Sequence, residues 1–105
     1  MTAVILEFPN HLFTTADLEH LRQVSGDMMA RGLWDSCERY THKGAVGVRF
    51  DQWLIYTDAQ SDATFSIERR SAGRYFLTDA RTGACLVSGS TIEQVTQRWT
   101  AAFAV

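Results

Sequence analysis

Proline, cysteine and lysine are all scarce in this chain. There is one proline in 105 residues, Pro9, and no run of Ser, Gly, Gln or Asn long enough to serve as a flexible linker. The length leaves no room for a linker and a second core, so residues 1–105 are expected to form a single domain. Two cysteines, Cys37 and Cys85, stand far apart with no CxxC partner, a usage that fits a reducing compartment better than a disulfide framework. No apolar run approaches the length of a membrane span. The longest near the N-terminus, Ala3-Val4-Ile5-Leu6, is cut by Glu7 and Pro9 and is too short for the core of a signal peptide. A cytoplasmic protein with no membrane partner is the expectation.

Charge of one sign is also lacking. The formal net charge is -2, too small to imply a polyanionic or polycationic partner through the long-range field. Its distribution is uneven: residues 1–62 carry nine acids and five bases, residues 63–105 three acids and five arginines. Lys43 is the only lysine among ten bases. Arginine offers a planar fork suited to carboxylate or phosphate, although genome composition produces the same bias.

What is present is enough for a core. Hydrophobic residues make up 46% of the chain and charged residues 21%, which can offset the entropy of ordering and argues against disorder. Val4 to Phe8 form a short β-type run that ends at Pro9. Thr14 is a plausible N-cap with Asp17 three residues on, Phe13 and Leu18 stand as a hydrophobic staple, and Leu18, Leu21, Val24 and Met28 recur at helical spacing. Gly32 supplies the C′ residue, so a helix is predicted over about 15–31. Gly26 inside it costs about 1 kcal/mol relative to Ala, and marks either close backbone packing or nothing.

From Trp34 to Ser88 the period changes to two, with turn residues at Lys43-Gly44, Asp51-Gln52, Ser71-Ala72-Gly73 and Thr82-Gly83. Strands are predicted over 35–41, 45–50, 53–58, 64–70, 74–79 and 84–88, a meander. A second helix follows, with Ser90 and Glu93 as its capping box and Ile92, Val95, Trp99, Ala102 and Phe103 as its apolar stripe. The whole reads as an α+β two-layer sandwich: a mostly antiparallel sheet of about five to six strands with both amphipathic helices on one face. Alternation assigns Val46, Val48, Phe50, Trp53, Ile55, Phe65, Ile67, Tyr75, Leu77, Cys85 and Val87 to the inward face.

Motifs for catalysis, metals and cofactors are not found. Cys37-x4-His42 has the wrong spacing for a zinc pair, and the loop bracketed by Asp58 and Asp62 has Gln60 and Ala63 where a calcium loop needs Asp or Asn and then Gly. His11, His20 and His42 are scattered, Gly44-Ala45-Val46-Gly47 lacks the rest of a phosphate loop, and no serine sits in a GxSxG elbow. Trp34, Trp53 and Trp99 could line a small-molecule pocket between helices and sheet, but core packing explains them more simply.

The opposite sheet face carries Leu54, Tyr56, Phe76 and Leu86 among polar neighbours, with Arg74 at its rim. Left uncovered, these residues form a surface of the kind that binds a protein partner or a second copy in a two-fold dimer; the plainer reading is scattered surface side chains. A strand edge is another route to a homodimer. The leading expectation is therefore an interaction or regulatory module without catalytic activity or cofactor, binding through Leu54, Tyr56, Arg74, Phe76 and Leu86. The alternative is nucleic-acid binding through segment 69–81, where Arg69, Arg70, Arg74 and Arg81 interleave with Tyr75 and Phe76. Alternation splits Arg69 from Arg70, and the negative overall charge opposes it.

Overall fold

The structure, a computed structural model, describes residues 11–43, 49–59, 62–70 and 73–103, the last three by backbone alone. The predicted strand at Val4–Phe8, the core assignments of Val46 and Val48, and parts of two turns lie outside the described residues.

Helix α1 spans Thr15–Ala30. It starts where sequence chemistry demands: the Thr14 hydroxyl accepts from the Asp17 N–H at 3.1 Å, and the Asp17 carboxylate accepts from the Thr14 N–H at 3.0 Å. Two donors that the first turn would otherwise leave unpaired are thereby satisfied. It stops in a Schellman arrangement, with Gly32 at φ 72° and bonds from the Gly32 N–H to the Met29 carbonyl and from the Leu33 N–H to the Met28 carbonyl. Gly26, exposed in mid-helix, has nothing within 4 Å of where a Cβ would sit. It permits no close packing, so Gly26→Ala is expected to raise stability by about 1 kcal/mol in urea unfolding. An unchanged or lowered midpoint would contradict this.

Five strands follow: β1 Ser36–Lys43, β2 Arg49–Tyr56, β3 Phe65–Arg70, β4 Arg74–Asp79 and β5 Cys85–Gly89. They form one antiparallel sheet in the order β1-β2-β3-β4-β5, each beside its neighbour in sequence. Register makes the two faces explicit. Arg39, Trp53, Ile67, Leu77 and Val87 stand opposite one another in a single row across all five strands, and the Trp53, Ile67 and Leu77 side chains are buried. The adjacent rows, Glu38-Leu54-Ser66-Thr78-Cys85 and Tyr40-Gln52-Glu68-Phe76-Ser88, point the other way.

Helix α2, Ile92–Phe103, returns across the inner face beside α1. Leu21 and Met28 of α1 and Ile92, Val95 and Trp99 of α2 join Trp53, Ile55, Ile67, Tyr75 and Leu77 in the core. Trp99 stacks on Trp34 at a centroid distance of 4.7 Å and meets the edge of Phe65 at 4.9 Å. The architecture is thus the α+β two-layer arrangement expected, with five strands among the described residues. No helix among the described residues is long and apolar enough to cross a membrane.

Four local expectations are corrected. Asp51 and Gln52 are not a turn but the middle of β2, because long-range partners replace the local bonds an Asp makes in a turn. Phe50 consequently has outer parity, and its ring stacks on His42 at 4.5 Å, while Asp51, Trp53 and Ile55 face inward. Cys85 is exposed: a bulge shifts register so that Leu77 opposes Val87 while Thr78 opposes Cys85, which moves Cys85 to the outer face and leaves Leu86 as the extra residue. Finally, the second helix is capped by Thr91, whose hydroxyl accepts from the Gln94 N–H at 3.2 Å, while the Gln94 side chain reaches back to the Ser90 N–H at 2.9 Å. The expected Ser90–Glu93 pair is one residue out of step; with Thr91 as cap, Ile92 begins the helix and is buried.

Candidate functional site

Both helices lie on the inner face, so no described element covers the outer one. Leu54, Tyr56 and Phe76 are partly exposed there, Arg74 is exposed at the end of β4, and Leu86 is 50% exposed at the bulge on the edge strand β5. The structure therefore brings Leu54, Tyr56, Arg74 and Phe76 onto one surface and sets Leu86 at its margin.

A hydrogen-bonded chain crosses this face. His42 bonds to the Gln52 side chain, Gln52 donates to Glu68 at 2.6 Å, and Glu68 accepts from the Arg70 guanidinium at 3.3 Å. That guanidinium also lies 4.6 Å above the Phe76 ring, so the face already seats one planar cation between a carboxylate and an aromatic. Tyr40 packs on His42 at 4.4 Å, extending the aromatic surface onto the edge strand β1. Tyr56 donates to Glu38 at 2.9 Å, and that bond, with a little burial, raises its pKa and keeps the phenol protonated at neutral pH.

At the end of the sheet where β2 gives way to β3 and β4 to β5, the two connecting loops cup a cavity of about 430 Å³ over the outer face. Leu54, Ser66 and Thr78, one cross-strand row, contribute to it, with Asp62, Glu68 and Asp79 around them. Three carboxylates line it and no basic side chain does. Ser66 is 2% exposed and its Oγ has no hydrogen-bond partner, a cost a buried hydroxyl rarely bears unless something pairs with it. Sequence parity placed Leu54 on this face, but nothing local reported that two loops distant in sequence would border it. Asp79 also organises its own turn, accepting from the Arg81 and Thr82 N–H groups.

Of the four arginines of the nucleic-acid alternative, only Arg70 and Arg74 stand together, as cross-strand partners. Arg69 points to the inner face and donates to the Leu12 carbonyl at 2.8 Å, Arg70 is held by Glu68, and Arg81 lies at the β4–β5 turn, the opposite end of β4 from Arg74. That dispersal removes the continuous basic stripe on which backbone tracking depends.

Nor do the reactive side chains converge. His20 bonds Thr96 Oγ1 at 2.7 Å between the helices, His42 belongs to the outer face, and His11 pairs with Phe50 as a bridge residue. Burial pushes the Cys37 thiol up, against hydrogen bonds to Ser25 and Trp53 that lower it, so it is a poor nucleophile at neutral pH. Cys37 and Cys85 lie on opposite edge strands, four strand spacings or about 19 Å apart, beyond any disulfide. Among the described residues no group of His, Cys, Asp and Glu could hold a metal ion. A smaller cavity of about 150 Å³ between the helices is lined by Val24, Asp27, Met28, Arg31 and Thr100, with no His or Cys in it.

The inner face has a buried polar cluster that sequence reading missed. Asp51, wholly buried, accepts from the Phe13 N–H at 2.9 Å, from Arg39 at 2.9 Å and from Thr41 at 2.5 Å. Burial alone would raise its pKa; these bonds outweigh it and hold the carboxyl below the ordinary range. Nearby, Tyr75 donates to Asp17 at 2.8 Å, and burial together with that carboxylate pushes the phenol up to about 12. Both carboxylates are spent on fixing residues 11–17 to the sheet, which is a structural task. Comparison with protein-family models, with curated proteins and with solved structures finds no match to this chain.

Proposed function

We propose that this protein is a small cytoplasmic interaction module, without catalytic activity, that self-associates through the outer face of its sheet. The observation that carries this reading is the absence of any described element over a face bearing Leu54, Tyr56, Phe76 and, at its margin, Leu86, extended by Tyr40, which is 52% exposed. A sheet with apolar side chains on both faces gains by covering the second, and a second copy is the partner always at hand. The dispersal of the arginines favours a protein contact over a nucleic-acid one. Five strands of this length present about 600 Å² per copy, near the lower end for a specific interface, so the dimer is expected to be of micromolar strength.

Light scattering behind a sizing column over a concentration series tests this. The wild-type mass should rise toward that of a dimer, and Phe76→Glu or Tyr56→Glu should hold the chain at monomer mass with unchanged circular dichroism. A wild-type chain that stays monomeric at the highest concentration would remove the proposal.

A further inference from the structure

The outer face has two electrically distinct ends. One is the cavity, where Asp62 and Asp79 stand at the sheet end and Glu68, shared with Arg70, marks its inner limit, with no base among the described lining residues. The other is where β3 turns into β4, and there Arg70 and Arg74 stand directly opposite each other on neighbouring strands. Like charges in that relation repel; Glu68 already offsets Arg70, and a further anionic neighbour would offset Arg74. A two-fold axis lying in the plane between two such sheets, across the strands, sets the basic end of one copy over the acidic end of the other, and does so twice.

We propose that self-association seats Arg74 of each copy in the acidic cavity of the other. Three features support this pairing beyond charge. Ser66 Oγ, buried and unpaired among the cavity's lining residues, supplies a hydroxyl acceptor that the planar fork of an arginine matches and that a single ammonium matches less well. The same face already seats one guanidinium in this manner, Arg70 against Glu68 and Phe76. Arg70 is already held by Glu68, whereas Arg74, exposed at the start of β4, is the arginine left to reach a second chain. The inference rests on the outer face being the contact surface, and it gives that face its register and its specificity.

Charge reversal tests it on the full chain, with the dimer dissociation constant as the readout. Arg74→Glu and Asp62→Arg, each alone, should weaken the dimer at least tenfold, because each places like charges in both cavities at once. The double variant carrying both reversals restores opposite charges at both contacts and should return to within about threefold of wild type. Glu19→Arg, an equal charge change on the exposed side of α1, should leave the dimer unaltered. Milder variants, Arg74→Gln and Asp62→Asn, cover the case of a misfolded reversal and should weaken the dimer and flatten its salt dependence. A dimer indifferent to all of these but broken by Phe76→Glu would overturn the arginine contact while leaving the outer-face interface standing. A chain that never dimerises would overturn both.

Discussion

Asp51→Asn is expected to cost about 2–4 kcal/mol, a large part of what a domain of this size has to spare, and to lower the melting temperature by about 15 °C. The size of the effect follows from the asymmetry of the pair. Asp51 is wholly buried while the Arg39 side chain is 38% exposed, so the arginine can turn to water when its partner goes. The buried Phe13 N–H cannot, and an Asn in place of Asp presents one acceptor oxygen to three donors. Arg39→Ala leaves the buried Asp51 carboxylate with the Phe13 and Thr41 donors but without this cation, and should cost about 1–3 kcal/mol.

The same carboxylate has a pH signature. Its pKa is depressed in the folded state, so its contribution is complete above the ordinary carboxylate value of 3.8 and is lost as pH falls through the lower folded value. Wild type and Asp51→Asn should differ by a constant amount from pH 7 down to about pH 4 and converge below it. A difference that stays constant into strong acid would show that Asp51 is not an ionised partner of Arg39.

Trp99→Ala should be of comparable or greater consequence, about 3–5 kcal/mol by urea unfolding. The indole is the piece of α2 that touches both the α1–β1 connection, through Trp34, and the sheet, through Phe65. Truncation removes two ring contacts and leaves a void that neither the helix nor the sheet can close without the other moving. Trp99→Phe keeps part of the stack and should lose about half as much. A cost below about 1 kcal/mol for Trp99→Ala would mean that α2 docks by Ile92 and Val95 alone.

The parts of this fold that were legible in the sequence are those decided by neighbours within a few residues. Thr14 and Asp17 announce the start of α1 and Gly32 its end because capping bonds span three or four positions. Strand β4, over 74–79, follows from a period of two between Gly-containing turns, and the inward row of Trp53, Ile67, Leu77 and Val87 from alternation. What was not legible depended on residues far away. Asp51 reads as a turn former until Arg39, Thr41 and the Phe13 N–H are brought to it. Cys85 reads as core until a bulge, which has no sequence mark here beyond the neighbouring turn, flips its parity. Of the candidate surface, Leu54, Tyr56, Arg74 and Phe76 could be placed on one face by alternation alone. The acidic cavity could not, since its walls come from the β2–β3 and β4–β5 loops, whose meeting is a product of strand order.

The account stands on the outer sheet face being where two copies meet, and isotope-filtered NMR on a mixture of labelled and unlabelled chains observes that directly. Contacts between copies should arise from the Leu54 methyls and the Tyr56 and Phe76 rings, with the Arg74 side chain reporting on Asp62, Ser66 and Glu68 of the other chain. Contacts confined to the β1 or β5 edge, or to the helices, would contradict it.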